Sequence, residues 1–273
     1  MEDLIRQAKA GDGDAFDRLT APLRPLLLSY LQRRIGDRAE AEDLCQETLM
    51  AAYTGLANYD GVVSFKAWFF QLASHLADPV SEGKDLWGES ALDVLQDYLL
   101  EHEAAQQELQ AILEEYDEKY SVADHVDFCF SVFLQTLFGK EREVLLLARL
   151  DDFSLVDASR IATLPLPEAK EKLEDAEDTL REALNERCSL VRPGAPCTQC
   201  RDFARWLGDE AGVEAEIQEL SLRPALTHPE ASFADRLALV KGVDPASSES
   251  AHLHEAMMLL LRRALGEIGK TKE

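Results

Sequence analysis

Apolar residues recur three and four positions apart along most of this chain, the spacing of one buried helix face. Leu4, Ile5 and Ala8 open such a stripe, and Gly11-Asp12-Gly13-Asp14 interrupts it. Asp12 or Asp14 then serves as N-cap for a new run through Ala15, Phe16, Leu19, Leu23, Leu27 and Leu31. Pro22 and Pro25 inside that run predict a kink or a restart, and Gly36-Asp37 a stop. A third helix is expected from about Arg38 to Leu56. A fourth is expected from Ser64 to Ala77, stopping at Asp78-Pro79 because the residue before a proline leaves helical geometry.

Further along, residues 81–124 carry only intermittent leucines and read as a partly helical linker. A strongly apolar stretch runs from Val126 to Leu137, followed by a helix over Glu141–Leu150. Helices over Leu155–Leu164 and Glu168–Arg187, separated by Pro165-Leu166-Pro167, have the layout of a helix-turn-helix. Later helical pieces fall near Asp202–Leu207, Phe233–Val240 and Ala251–Leu265, the last with a core-type stripe of Leu253, Met257, Met258, Leu260 and Leu261. No period-two run marks a strand, so the expected fold class is all-α.

Composition adds two constraints. The chain has 273 residues, 46% of them hydrophobic, enough for a core and too many for wholesale disorder. Its longest apolar run falls short of the roughly 18 residues that a membrane span needs. The first residues lack a signal-like apolar stretch, which predicts a cytoplasmic protein. The second constraint is charge: 28 Lys and Arg stand against 52 Asp and Glu, a balance of −24. A DNA-binding role therefore needs a local basic patch. The acid is concentrated: residues 82–124 hold 13 acidic and 2 basic residues (Lys84 and Lys119), whereas residues 1–78 hold 12 and 8.

No Gly-rich phosphate loop, nucleophile elbow or zinc-protease helix occurs, and an enzyme is not expected. LIRQAKAGDGDAFDRL, AEAEDLCQETLMAAYTGL and SFKAWFFQLASHLAD together resemble the σ2 domain of the extracytoplasmic-function group of sigma-70 factors. FGKEREVLLLARLDDFSLVDASRIATLPLPEAKEKLEDAEDTLREAL resembles their σ4 helix-turn-helix domain. HVDFCFSVFLQTL, RCSLVRPGAPCTQC and DRLALVKGVDPASSESAHLHEAMM resemble a subgroup with a cysteine-bearing C-terminal extension. The resemblance implies a σ2-like domain over 1–80, an acidic linker over 81–124, a σ4-like domain over 125–188 and an extension over 189–273.

It also implies partners. The helix bearing Asp43, Gln46 and Glu47, with Leu49 and Met50, is expected to dock on core RNA polymerase. Asp43, Gln46, Glu47 and Met50 lie three or four apart and so share one helix face. Phe65, Lys66 and Trp68 are expected to meet melted promoter DNA, since aromatics stack on unpaired bases. Lys170 and Lys172 are the expected DNA contacts of the recognition helix. Residues 164–187, however, hold 8 acids against 4 bases, where phosphate contact asks for the reverse. Two readings stand: a sigma factor that directs core polymerase to promoters, and a sigma-like mimic that binds polymerase or an anti-sigma protein without reading DNA.

Five cysteines occur, at 45, 129, 188, 197 and 200. The odd count argues against a disulfide framework, and Cys45 falls on an apolar helix face. Cys197-x2-Cys200 has the spacing of a zinc knuckle. Cys188 is a possible third ligand, and His125 or Cys129, one helical turn apart, a fourth. Reduced thiols and a redox pair are the alternatives.

Overall fold

The computed structural model describes residues 1–82, 87–88, 90–245, 247–248 and 250–266, so the expected linker base Lys84 lies outside the described residues. Among the described residues every regular element is helical. None of the helices is long and apolar enough to cross a membrane.

In chain order the first eight α-helices are α1 (Glu2–Lys9), α2 (Gly13–Thr20), α3 (Arg24–Ile35), α4 (Arg38–Gly55), α5 (Phe65–Glu82), α6 (Ala91–Glu101), α7 (Glu103–Tyr116) and α8 (Val122–Leu134). They are followed by α9 (Gly139–Leu145), α10 (Leu155–Ile161), α11 (Leu166–Arg187), α12 (Gln199–Leu207), α13 (Glu210–Leu220), α14 (Pro229–Gly242) and α15 (Ala251–Ala264). The chain packs as two compact units, Met1–Asp85 with Leu137–Ala176, and Leu86–Thr136 with Glu177–Glu273.

In the first unit, local chemistry sets the helix ends. Asp12 caps α2 by accepting from the Ala15 N–H at 3.1 Å, and Asp37 caps α4 by accepting from Glu40 at 3.0 Å. Gly36 closes α3 with φ 71°, a left-handed turn that glycine adopts without strain. The run containing Pro22 and Pro25 does restart, with Pro25 in the first turn of α3. The expected stop at Asp78-Pro79 does not occur, because α5 continues through Pro79 to Glu82. Asp78 is held within the helix by ion pairs to Arg34 and, at 2.9 Å, to Lys140. Its anchoring offsets the hydrogen bond that the proline removes.

A buried polar cluster ties α3, α5 and α9 together. Glu143 is fully buried; it accepts from Tyr30 Oη at 3.1 Å, Lys140 Nζ at 2.8 Å, Arg34 Nη2 at 3.3 Å and the Ser74 hydroxyl. Arg34 is 1% exposed; burial works to lower its pKa, but the combined pull of Tyr30, Glu143 and Asp78 outweighs this and raises it. Neighbouring Arg142 donates to the carbonyls of Arg34 at 2.6 Å and Leu137 at 2.9 Å. Burial, with Arg34 adding to it, lowers the Arg142 pKa to about 10. Both arginines are thus buried with acceptors at their terminal nitrogens, which makes burying them tolerable.

The helix-turn-helix is α10 and α11. Ser154 caps α10 by accepting from Asp157 at 3.1 Å. The turn includes Thr163 at φ 56°, unusual for a β-branched residue. The second helix starts at Leu166, earlier than Glu168, because Pro167 in a first turn has no N–H to leave unpaired.

In the second unit, the segment read as a linker is two packed helices. Leu92, Leu95, Leu109 and Leu113 are buried on α6 and α7, both of which pack against α15. The intermittent leucines are therefore a core face, and the acids between them are the exposed remainder. Several acids cap distant helices. The Glu118 carboxylate accepts from the N–H groups of His252 at 2.9 Å and Leu253 at 3.0 Å, at the start of α15. Asp124 accepts from Ser250, and Glu216 from Ser121 and Ala123 at the start of α8. The stretch expected as one σ4-like domain, 125–188, is divided between the units, with α8 in the second and α9, α10 and the first half of α11 in the first. Helix α13 was not anticipated.

Candidate functional site

The expected polymerase face is formed by α4. Ala41, Leu44, Thr48 and Ala52 face inward and are buried, which turns Asp43, Gln46, Glu47 and Met50 outward. Met50 is 63% exposed and Leu49 is half-buried at the edge. Tyr53, 51% exposed, continues the stripe by one turn and packs edge-on against Phe16. Sequence reading passed over Tyr53, although it lies three residues beyond Met50 on the same face. The result is an acidic strip with two large apolar groups at its end, a surface suited to a basic helical partner.

The α5 set divides. Phe65 is 4% exposed and lies within an aromatic cluster of Tyr59, Trp68 and Phe69. It is therefore a core residue, which corrects the expectation that it stacks on DNA. Helix phase explains this, since Phe65 and Phe69 lie four apart on the inward face. Lys66 donates to the Asp151 carbonyl at 2.6 Å and sits 4.3 Å from the Phe153 ring centroid. Its charge is engaged within the unit, contrary to its expected place on DNA. Trp68 is half-buried between Tyr59 and Phe65.

The outer face of α11 is acidic, as its sequence indicates. Glu171, Glu174, Asp175 and Asp178 are exposed. Lys170 is exposed but pairs with Glu174 at 3.3 Å, and half-buried Lys172 lies 4.0 Å from Glu141. Both expected DNA-contacting lysines thus have carboxylate neighbours.

In the second unit Cys129, Cys188, Cys197 and Cys200 line one small cavity, so Cys129 of α8 joins the three clustered cysteines. Backbone pairing brings Cys188 beside Cys197: the Cys197 N–H donates to Arg187 O at 2.9 Å, and the Ser189 N–H donates to Cys197 O at 3.1 Å. Burial pushes the Cys129 and Cys200 thiols well up, and Cys197 up to about 11. As the side chains stand, no three His, Cys, Asp or Glu among the described residues are gathered closely enough to hold a metal ion. Cys45 is half-buried, and burial raises its pKa.

His125 is fully buried among aromatic rings, with Phe128 and Phe203 each 5.5 Å away between centroids and His254 at 6.0 Å. It is absent from the lining of the cysteine cavity. Burial lowers its pKa to about 4, opposed only by the approach of Gln199. The placement leaves Cys129 as the nearer candidate for a fourth ligand and His125 as a packed core ring. At their one-turn separation the two side chains diverge, one to the thiols and the other to the aromatic cluster.

Comparison with known proteins adds the following. Residues 19–77 match the family model of sigma-70 region 2. The ECF RNA polymerase sigma factor SigW of Bacillus subtilis is 27% identical over 194 residues, 67% of this chain and 95% of that protein. The RNA polymerase sigma-H factor of Pseudomonas aeruginosa is 23% identical over 190 residues, 67% of this chain and 93% of its own length. The ECF RNA polymerase sigma factor BldN of Streptomyces coelicolor is 37% identical over a shorter stretch of 78 residues, 28% of this chain and 29% of that protein. The region 2 match contains all of α4 and Phe65, Lys66 and Trp68.

Proposed function

We propose that this chain is a sigma factor of the extracytoplasmic-function group of the sigma-70 family, which binds core RNA polymerase through α4 and directs transcription initiation. The observation that carries the assignment of the surface is the exposed stripe of Asp43, Gln46, Glu47 and Met50, backed by a fully buried inner face on the same helix. A helix that buries one face and offers acid and methionine on the other is arranged to be read by a partner. Leu49 lines the edge of that contact.

Promoter recognition in this reading leans on the assembled polymerase more than on α11. The exposed acids of α11 oppose phosphate contact, and Lys170 and Lys172 are too few to reverse the local field. That acidity, with the acidic segment 82–124, favours the second reading, a mimic occupying polymerase or an anti-sigma protein without reading DNA. Relatives named as sigma factors and aligned over most of their own length favour the first.

The test is a core-polymerase titration followed by run-off transcription. The sigma reading expects saturable binding and promoter-dependent transcripts. Saturable binding with no transcript from any promoter of a genomic library would transfer the assignment to the mimic. Absence of binding would end the sigma reading and leave only a mimic that occupies an anti-sigma protein.

A further inference from the structure

The four-cysteine cavity is lined by a buried cation whose terminal nitrogens have no hydrogen-bond partner. Arg236 of α14 lines it, is 2% exposed, and has no hydrogen-bond acceptor for either terminal guanidinium nitrogen. A buried cation without a partner is costly, by several kcal/mol in the absence of compensating charge. No carboxylate lines the cavity beside it; the polar side chains there besides the two arginines are Ser189 and the four cysteines Cys129, Cys188, Cys197 and Cys200. A neutral thiol is a weak acceptor, whereas a thiolate answers a guanidinium well.

We propose that Cys129, Cys188, Cys197 and Cys200 bind one thiophilic divalent cation of the zinc class, with Arg236 as its buried counter-charge. Four thiolates around a divalent cation leave an excess of two negative charges. Arg236 faces that excess, and Arg187, already paired with Asp93, also lines the cavity.

The backbone supports the arrangement. Cys197 and Cys200 straddle the start of α12, with Thr198 at its N-cap position, so Cys200 lies in a first turn whose N–H groups favour negative sulfur. Cys188 is held beside Cys197 by the backbone pairing described above. Cys129 arrives from α8, whose packing against α14 also brings Arg236. The enclosed space is about 20 Å³, room for one small occupant. Ligation requires the four thiols to rotate onto a common point. His125 takes no part.

The test uses the full chain, reduced, exposed to Zn²⁺ and desalted, with metal measured by mass spectrometry. About one zinc per chain is expected from a closed four-ligand shell. Replacing zinc by Co²⁺ in the unmutated chain gives intense thiolate-to-cobalt charge-transfer bands of four-sulfur, tetrahedral strength. Cys129→Ser and Cys197→Ser each lose the metal, while His125→Asn keeps it with an unchanged cobalt spectrum. Arg236→Gln weakens the affinity on the order of 10- to 100-fold, the range of a supporting residue around a metal. A folded, reduced wild-type chain that retains no zinc and shows no cobalt charge-transfer band overturns the proposal. So does a chain whose thiols are found paired as disulfides under air, or one in which His125→Asn abolishes the four-sulfur spectrum. Should the serine variants fail to fold, the cobalt titration of the wild-type chain decides alone.

Discussion

Lys66 Nζ donates to the carbonyl of Asp151 at 2.6 Å, across 85 residues of sequence. The ammonium also faces the Phe153 ring at 4.3 Å and the Phe70 ring at 5.7 Å. A lysine whose sequence context resembles a nucleic-acid contact thus fastens α5 to the loop before α10. Lys66→Met should lower stability by about 2–4 kcal/mol, the sum of a charge-assisted hydrogen bond and a partly buried cation–π contact. Urea unfolding checks this; an unchanged midpoint would return Lys66 to the exposed surface.

Removing the Glu143 carboxylate should cost more. Arg34 and Lys140 would keep Asp78 as acceptor, but the Arg34 guanidinium, 1% exposed, would face an uncharged hole. Glu143→Ala is expected to destabilise by about 3–5 kcal/mol, as for a buried ion pair broken from one side. Glu143→Leu paired with Arg34→Met should recover part of that loss, and thermal melting of the single and double variants measures both.

Acid should loosen the second unit through His125. Its folded pKa of about 4 lies below the unfolded value of roughly 6.5, so burial holds the ring neutral. The depressed pKa means that the unfolded chain takes up the proton first as pH falls. The ring therefore carries no penalty above about pH 6.5, and stability is lost between there and pH 4, by about 3 kcal/mol at the lower end. His254, depressed by burial and by His125, acts in the same direction, and Tyr120 and Gln199 are the other polar neighbours of the ring. Comparing urea midpoints at pH 7.5 and pH 5 tests the slope, and His125→Phe should flatten it.

On α4, the double reversal Asp43→Lys with Glu47→Lys should weaken core-polymerase binding by about 1–3 kcal/mol, the range for partly desolvated interface charges. Both side chains are exposed on the outer face, so the fold should tolerate the change. Circular dichroism controls for that, and an unaltered binding isotherm would remove α4 from the contact.

On α11, Glu171→Lys, Glu174→Lys and Asp178→Lys together should raise the duplex-DNA affinity of the full chain. The substitutions also release Lys170 from Glu174. Each new phosphate contact adds to the salt dependence, so the gain should fade steeply with added salt. Salt-sensitive binding in the micromolar range, already at the strong end of non-specific affinities, by the unmodified chain would show that the acids do not block DNA.

The sequence by itself determined the helices whose apolar positions repeat at three and four, and with them the outer face of α4. Asp43, Gln46, Glu47 and Met50 share a face through helix geometry alone, whatever packs behind them. The helix-turn-helix and the acidity of α11 were legible for the same local reason. Helix α13 escaped because its buried anchor is the single residue Val213, too sparse a signal to register as a period. What only the tertiary structure decided are relationships between residues far apart in the chain: Glu118 capping α15 across 134 residues, Phe65 turning into an aromatic core, Cys129 joining three cysteines at least 59 positions away, and Arg236 arriving beside them. Periodicity records which side of a helix is apolar; it carries no label for what the other side, or a lone polar residue within the apolar side, will meet. That is settled when helices pack, because a buried charge or carboxylate must find its acceptor or donor wherever the fold brings one within reach.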